Sequence, residues 1–224
     1  MNTPKKNFYL FGLLAVGLIA LLCVWQFRAA LGITVTPTEQ PLIEKIPVNI
    51  PLDQNDAVFG NQGAPVSVVE FIDLNSADSL AVHQTLKKFV ADHPTDVYLT
   101  WKDFPTGGLF TTDPQRPHRA AYCVLKQDRK KFWEFIDQLA SGGKTSVSAL
   151  TELTDQLSLN AALWQQCLDS TEAKTRIDAS IALAEQLGLD KAPIIFINNK
   201  KVNYVKEINL EELLTKIVEA ANEQ

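Results

Sequence analysis

Cysteine is scarce in this 224-residue chain. Cys23, Cys123 and Cys167 are the whole complement, and no two of them stand in a C-x-x-C spacing. Dithiol exchange through adjacent thiols, which needs a thiolate beside its resolving partner, has no local motif here. Histidine is as thin: His83, His93 and His118 show no metal-ligand spacing with one another or with the cysteines, so no metal is expected. Positive charge is short too. The formal net charge is -5, and the first 28 residues hold Lys5, Lys6 and Arg28 but no acid. The remainder therefore carries 18 basic residues (21 less 3) against 26 acidic ones, a net of -8. That balance argues against nucleic-acid binding, which needs clustered Lys and Arg. The one basic cluster, Lys126 to Lys131, reads as a solvated helix face. There is no internal repeat or low-complexity tract, and no small-molecule cofactor is expected.

Long apolar runs are limited to one. Phe8 to Trp25 is 18 residues without a charge. At about 1.5 Å per residue it nearly crosses a hydrocarbon core of about 30 Å, and Gln26-Phe27 complete the span. Phe8, Tyr9, Trp25 and Phe27 sit at its ends as interfacial aromatics do, and Lys5 and Lys6 precede it, which keeps the N-terminus in the cytoplasm. The expected organisation is a cytoplasmic N-terminus at 1–7, a signal anchor at 8–27, a stalk at 28–59 containing Pro37, Pro41, Pro47 and Pro51, part of which, such as Ile46 to Leu52, is expected to lie against the domain, and an exported domain at 60–222. The location implied is single-pass in the inner membrane, with the main domain in the periplasm or an equivalent extracytoplasmic space. Two alternatives stand beside the anchor: a cleaved signal peptide, though Phe27-Arg28-Ala29-Ala30 is a poor cleavage pattern, and lipidation at Cys23, though Leu21-Leu22 lacks the small residue expected before it.

The exported part is organised around Val66 to Ser79. Val66, Val68, Val69, Phe71 and Ile72 form a short, near-continuous apolar run, the pattern of a central strand buried on both faces. Asn75 and Ser76 offer N-cap side chains, and Ala77 to Val90 has helical spacing. Asp96 to Lys102 reads as a second strand, closed by Asp103-Phe104-Pro105. Helical stripes then run from Arg119 to Leu187, broken at Gly142-Gly143, with Ser146 and Asn160 as caps. Ile194 to Asn198 is a third strand, Asn198-Asn199 a turn into a short strand near Val202 to Val205, and Asn209 caps a last helix over Leu210 to Ala221. The order β-α-β, helical block, β-β-α predicts an α/β fold: a central mixed sheet flanked by helices, with a helical insertion at about 117–187.

From about Gly60 to Ala221 the chain resembles the DsbA-like thioredoxin-fold family of exported disulfide oxidoreductases. The residues that carry the likeness are Val69-Glu70-Phe71, His83-Gln84-Thr85-Leu86, Lys102-Asp103-Phe104-Pro105, Ala120-Ala121-Tyr122-Cys123, Lys131-Phe132-Trp133-Glu134 and Gly188 to Asn198. The resemblance implies a buried carboxylate at Glu70 beneath the active-site corner. It also implies a cis peptide bond at Ala192-Pro193, in a loop that holds an extended peptide by backbone hydrogen bonds. It puts the family's two catalytic cysteines on Ser76 and Ser79, with Ala77-Asp78 between them. A serine hydroxyl does not ionise near neutral pH and forms no mixed disulfide, so the likeness predicts a fold without its dithiol chemistry. Asp78 at a helix N-terminus favours the helix and would oppose a nearby thiolate.

Three functional expectations follow. The first is a membrane-anchored binding, scaffold or assembly subunit that engages a protein partner through Ser76, Asp78, Ala192 and Pro193. The second is a thiol-disulfide oxidoreductase or isomerase acting through Cys123 and Cys167. The third is a holdase chaperone for exported chains. For Cys123 and Cys167 the sequence leaves open a structural disulfide, two buried thiols or a redox-active pair. For Glu70 it leaves open a relic without a partner or a half-exposed, hydrogen-bonded carboxylate. Ser76 has no evident Ser-His-Asp arrangement.

Overall fold

The computed structural model describes residues 43–44, 47–107, 112–203 and 209–223. The expected span at 8–27 and most of the expected stalk lie outside them; among the described residues no helix is long and apolar enough to cross a membrane.

The centre of the fold is a five-stranded mixed sheet in the order β1-β3-β2-β4-β5. The strands are β1 (Val58–Gly60), β2 (Val66–Ile72), β3 (Val97–Asp103), β4 (Ile194–Ile197) and β5 (Lys200–Val202). β2 and β3 run parallel, with Glu70 opposite Trp101, and helix α1 (Ala77–Asp92) supplies the crossover that parallel pairing requires. β1 on β3, β4 on β2 and β5 on β4 are antiparallel. The tight turn between β4 and β5 uses Asn198 and Asn199, both at positive φ, which is the conformation a two-residue hairpin loop needs. Gly60 ends β1 at φ +93, where a Cβ would stand 2.9 Å from Val90 Cγ1 and 3.1 Å from the Val97 carbonyl. Only glycine fits that close approach.

Among the described residues five helices lie between β3 and β4: α2 (Arg116–Gln127), α3 (Arg129–Ala140), α4 (Val147–Gln156), α5 (Ala161–Leu168) and α6 (Thr171–Gln186); α7 (Leu210–Asn222) follows the sheet. Short polar side chains cap most of them. Asp128, Ser146, Asn160, Ser170 and Asn209 each accept a backbone N–H of the first turn.

β2 separates the apolar interior into parts. Val66 and Val68 pack with Leu86, Val90 and Leu214 of α1 and α7. Val69 and Phe71 point the other way, to Phe104, Ala184, Leu189 and Phe196. Ile72 and Leu74 continue into the helical block, among Cys123, Phe135, Leu150 and Trp164. β2 is thus buried on both faces. Each of these large side chains contributes about 1.5–3 kcal/mol by leaving water.

The last part of the stalk expected over 28–59 belongs to the domain, over more of its length than the Ile46 to Leu52 stretch. Ile43 bridges Val202 on the β5 edge, and the amides of Glu44 and Val48 donate to the carbonyls of Lys201 and Asn199. Ile50 is buried with Phe71 and Phe196. The Pro51 carbonyl accepts from Lys102 Nζ, and Asp56 and Ala57 are buried before β1 begins. Residues 47–60 form a strap from one sheet edge to the other. Proline spacing does favour extended chain here, but Ile50, Asp56 and Ala57 give that chain a surface to bind.

Candidate functional site

The corner where β2 feeds α1 carries Ser76 to Ser79. Ser76 is the N-cap of α1: it has extended backbone, and its Oγ accepts the Ser79 amide at 3.3 Å. It is half-buried, Ala77 and Asp78 are exposed, and Ser79 is fully buried. The Ser79 Oγ accepts the amide of Asp73 at 3.3 Å. Both hydroxyls are therefore used in holding the corner's backbone. A hydroxyl in this role makes a good cap and a poor nucleophile, since no base contacts either oxygen among the described residues.

Beneath the corner lies Glu70. It is neither half-exposed nor unpartnered: its side chain is fully buried, and Oε1 stands 2.7 Å from His83 Nδ1. Glu70 Oε2 and His83 Nε2 have no hydrogen-bond partner among the described residues. The His83 ring stacks on Trp133 at 5.9 Å between centroids, 4° between planes, and meets Trp101 edge-on. The pair is enclosed by aromatic walls.

A second polar cluster, which the sequence did not single out, sets the backbone of the corner. Asp73 Oδ1 accepts from the amide and side chain of Asn75 at 2.8 and 3.1 Å, an Asx turn, and Oδ2 accepts from the Thr106 amide and hydroxyl at 3.0 and 2.8 Å. His118 of α2 is wholly buried beside it. Its Nδ1 is 2.9 Å from Asp103 Oδ1, and its Nε2 accepts the Leu74 amide at 3.1 Å. Trp101 Nε1 also donates to Asp103 Oδ1. Burial works against the Asp73 carboxylate, but His118 and the amides of Asn75 and Thr106 outweigh it and hold Asp73 well below the usual carboxylate range. Burial likewise opposes charge on His118, and Asp103 and then Asp73 overcome it, so its affinity for a proton is raised. The signals for this cluster were the Asp two residues before Asn75 and the Asp of Asp103-Phe104-Pro105.

The Ala192-Pro193 bond is cis. Phe71 near the end of β2 pairs with Ile194 at the start of β4, so register brings the proline loop and the Ser76 corner to the same end of the sheet. Ala192 and Pro193 are half-buried. An open depression of about 440 Å³ adjoins the corner, lined by Asn75, Asp113, Arg116, Pro117 and Val147 among others. Away from the corner, Cys123 of α2 and Cys167 of α5 are joined in a disulfide, with 5.7 Å between Cα atoms. No group of three or more His, Cys, Asp and Glu suited to a metal ion occurs among the described residues.

The sequence model of a family described as thioredoxin matches residues 53–219. Among solved structures, a thioredoxin-like oxidoreductase from Silicibacter pomeroyi DSS-3 is 24% identical with a TM-score of 0.64, covering 77% of this chain and 95% of that one. DsbA2 from Pseudomonas aeruginosa is 23% identical with a TM-score of 0.60, over 78% and 98% of the two chains. Oxidised BdbD from Bacillus subtilis is 17% identical with a TM-score of 0.64, over 76% and 94%. No curated protein sequence matches.

Proposed function

The chain belongs to the thioredoxin family, with a DsbA-like fold, and from that premise we propose that it is a membrane-anchored, extracytoplasmic member that has given up dithiol catalysis and serves as a binding, scaffold or assembly subunit for a protein partner. One observation carries this reading. The two positions that the resemblance assigns to sulfur hold Ser76 and Ser79, and their oxygens cap a helix and brace a strand end. The surface around them is kept: a half-buried Ser76, an exposed Asp78 and the Ala192-Pro193 loop at the same end of the sheet. An extended segment can bind such a loop through backbone hydrogen bonds without any thiol. The signal anchor at 8–27 and the extracytoplasmic location belong to this proposal and rest on the apolar run and its flanking lysines.

The test pairs an activity assay with partner capture. The full chain in mild detergent is expected to show no insulin reduction and no refolding of scrambled substrate. Photo-crosslinkers placed at Ser76 and Asp78 are expected to trap a discrete partner, which the Pro193→Thr variant traps less. Turnover lost on Cys123→Ser would overturn the proposal. A second reading, exchange through Cys123 and Cys167, has one observation in its favour: the two are bonded, and Cys167 is only half-buried. That same assay separates the two. Suppression of aggregation at near-stoichiometric ratio, with no discrete crosslink, would favour a holdase.

A further inference from the structure

We propose that His118 is a proton-operated latch on the β2–α1 corner: a proton taken up at Nε2 moves that nitrogen from the Leu74 amide to the Asp73 carboxylate and uncouples the corner's backbone from α2. This inference concerns the chain's own geometry and does not depend on the function proposed above.

The hydrogen bonds fix the starting state. Asp103 Oδ1 already accepts from Trp101 Nε1, and an ionised carboxylate only accepts, so the hydrogen between it and His118 belongs to Nδ1. The Leu74 amide can only donate, and it points at Nε2 from 3.1 Å. His118 is therefore neutral and protonated on Nδ1 in this arrangement. Asp73 Oδ1 stands 3.5 Å from the same Nε2, close but longer than the Leu74 contact.

Protonation reverses the chemistry at Nε2. The nitrogen becomes a donor and has no lone pair left for Leu74. Asp73 Oδ1, already within reach, becomes its acceptor. The Leu74 amide then has no partner in the buried cluster, and it lies two residues before the helix cap at Ser76. Asp73 also holds Asn75 and Thr106, so the shift pulls on the group that sets the corner and its neighbouring loop together.

The charges around the imidazole favour this step. The turn after β2 supplies Asp73 and the end of β3 supplies Asp103, and both raise the affinity of His118 for a proton against the effect of burial. α6 contributes Arg176, which acts on Asp103. The remaining charges of that seam are engaged elsewhere. Arg116 and Arg119 pair with Asp113, Glu172 with Tyr122 and Lys126, and Asp178 with Gln115 and Lys174.

The experiment is a pH titration of the 15N-labelled full chain in mild detergent, followed by NMR and amide hydrogen exchange. Above its transition, His118 is expected as the Nδ1–H tautomer. As it takes up its proton, the Leu74 amide is expected to lose about tenfold in protection, with the same midpoint, while the amides of Val68 and Trp101 keep theirs. His118→Gln should abolish the step. The proposal is overturned by an Nε2–H tautomer at high pH, by Leu74 protection that stays constant through the His118 midpoint, or by a step that survives in His118→Gln. The wild-type titration decides the matter without the variant, whose folding is not assured.

Discussion

Removing the Cys123–Cys167 disulfide tests how the helical block is held. The two cysteines lie 44 residues apart in sequence. A cross-link closing a loop of that length lowers the entropy of the unfolded chain by an amount equivalent to about 4 kcal/mol at 25 °C in the chain-entropy model. The bonded sulfurs sit where α2 meets α5: Cys123 packs among Phe135, Leu150 and Trp164, and Trp164 Nε1 donates to the Ala120 carbonyl across the same seam. Replacing both cysteines with alanine keeps the seam apolar, so loop entropy remains the main loss. For a domain of this size a loss of 4 kcal/mol lowers Tm by about 8–16 °C. Urea unfolding followed by tryptophan fluorescence is the assay, run on the double-alanine variant and on the wild type with and without reductant. The variant and the reduced wild type should agree. A loss below about 1 kcal/mol in both would refute the reasoning and mean that packing alone holds α2 to α5.

Other consequences are open to measurement. Asp56 is buried and accepts from Lys102 Nζ at 2.6 Å, from the Asp53 amide at 2.7 Å and from Arg176. Asp56→Ala leaves Lys102 buried without its anion and should cost about 3–5 kcal/mol in urea unfolding; an unchanged midpoint would mean that the strap does not need the carboxylate. Ser76→Ala should cost about 1 kcal/mol as a lost cap and Ser76→Asp close to nothing, and equal losses for the two would argue that Ser76 is not the cap. Stability should peak in mildly acidic solution. Asp73, lowered from 3.8, stabilises above that value, and this contribution is lost as pH falls through its folded pKa. His118, raised from 6.5, stabilises below 6.5, and this contribution is lost as pH rises through its folded pKa. Urea midpoints at pH 5.5 and 8.5 check the alkaline limb: the wild type should lose more than His118→Gln, and equal losses would remove His118 from the account.

The fold was readable because its main signals are local. The apolar run Val66 to Ile72 is a strand buried on both faces, and the caps at Ser146, Asn160 and Asn209 start helices. The strap was readable only in part: Ile46 to Leu52 was expected to lie against the domain, and Ile50 does, but Asp56 stands among polar residues and its partners Lys102 and Arg176 lie far along the chain. The corner's supports were hidden for the same reason. Asp73, Asp103 and His118 come from three elements and show no spacing that marks them as a unit. Glu70 was placed beneath the corner by resemblance alone, and its contact with His83, 13 residues on, needed the crossover of α1 to be seen.

The placement of residues 43–44 and 47–60 decides how the domain answers a mechanical pull from its N-terminal side. The chain enters beside β5, held there by the backbone bonds of Glu44 and Val48, and these can open one after another under tension, like a zipper. Ile50 and then Asp56, gripped by Lys102 and Arg176, come next in line. Force must dislodge those side chains before it reaches β1 and the sheet. Under such a pull the edge contacts are expected to yield before the load reaches the sheet.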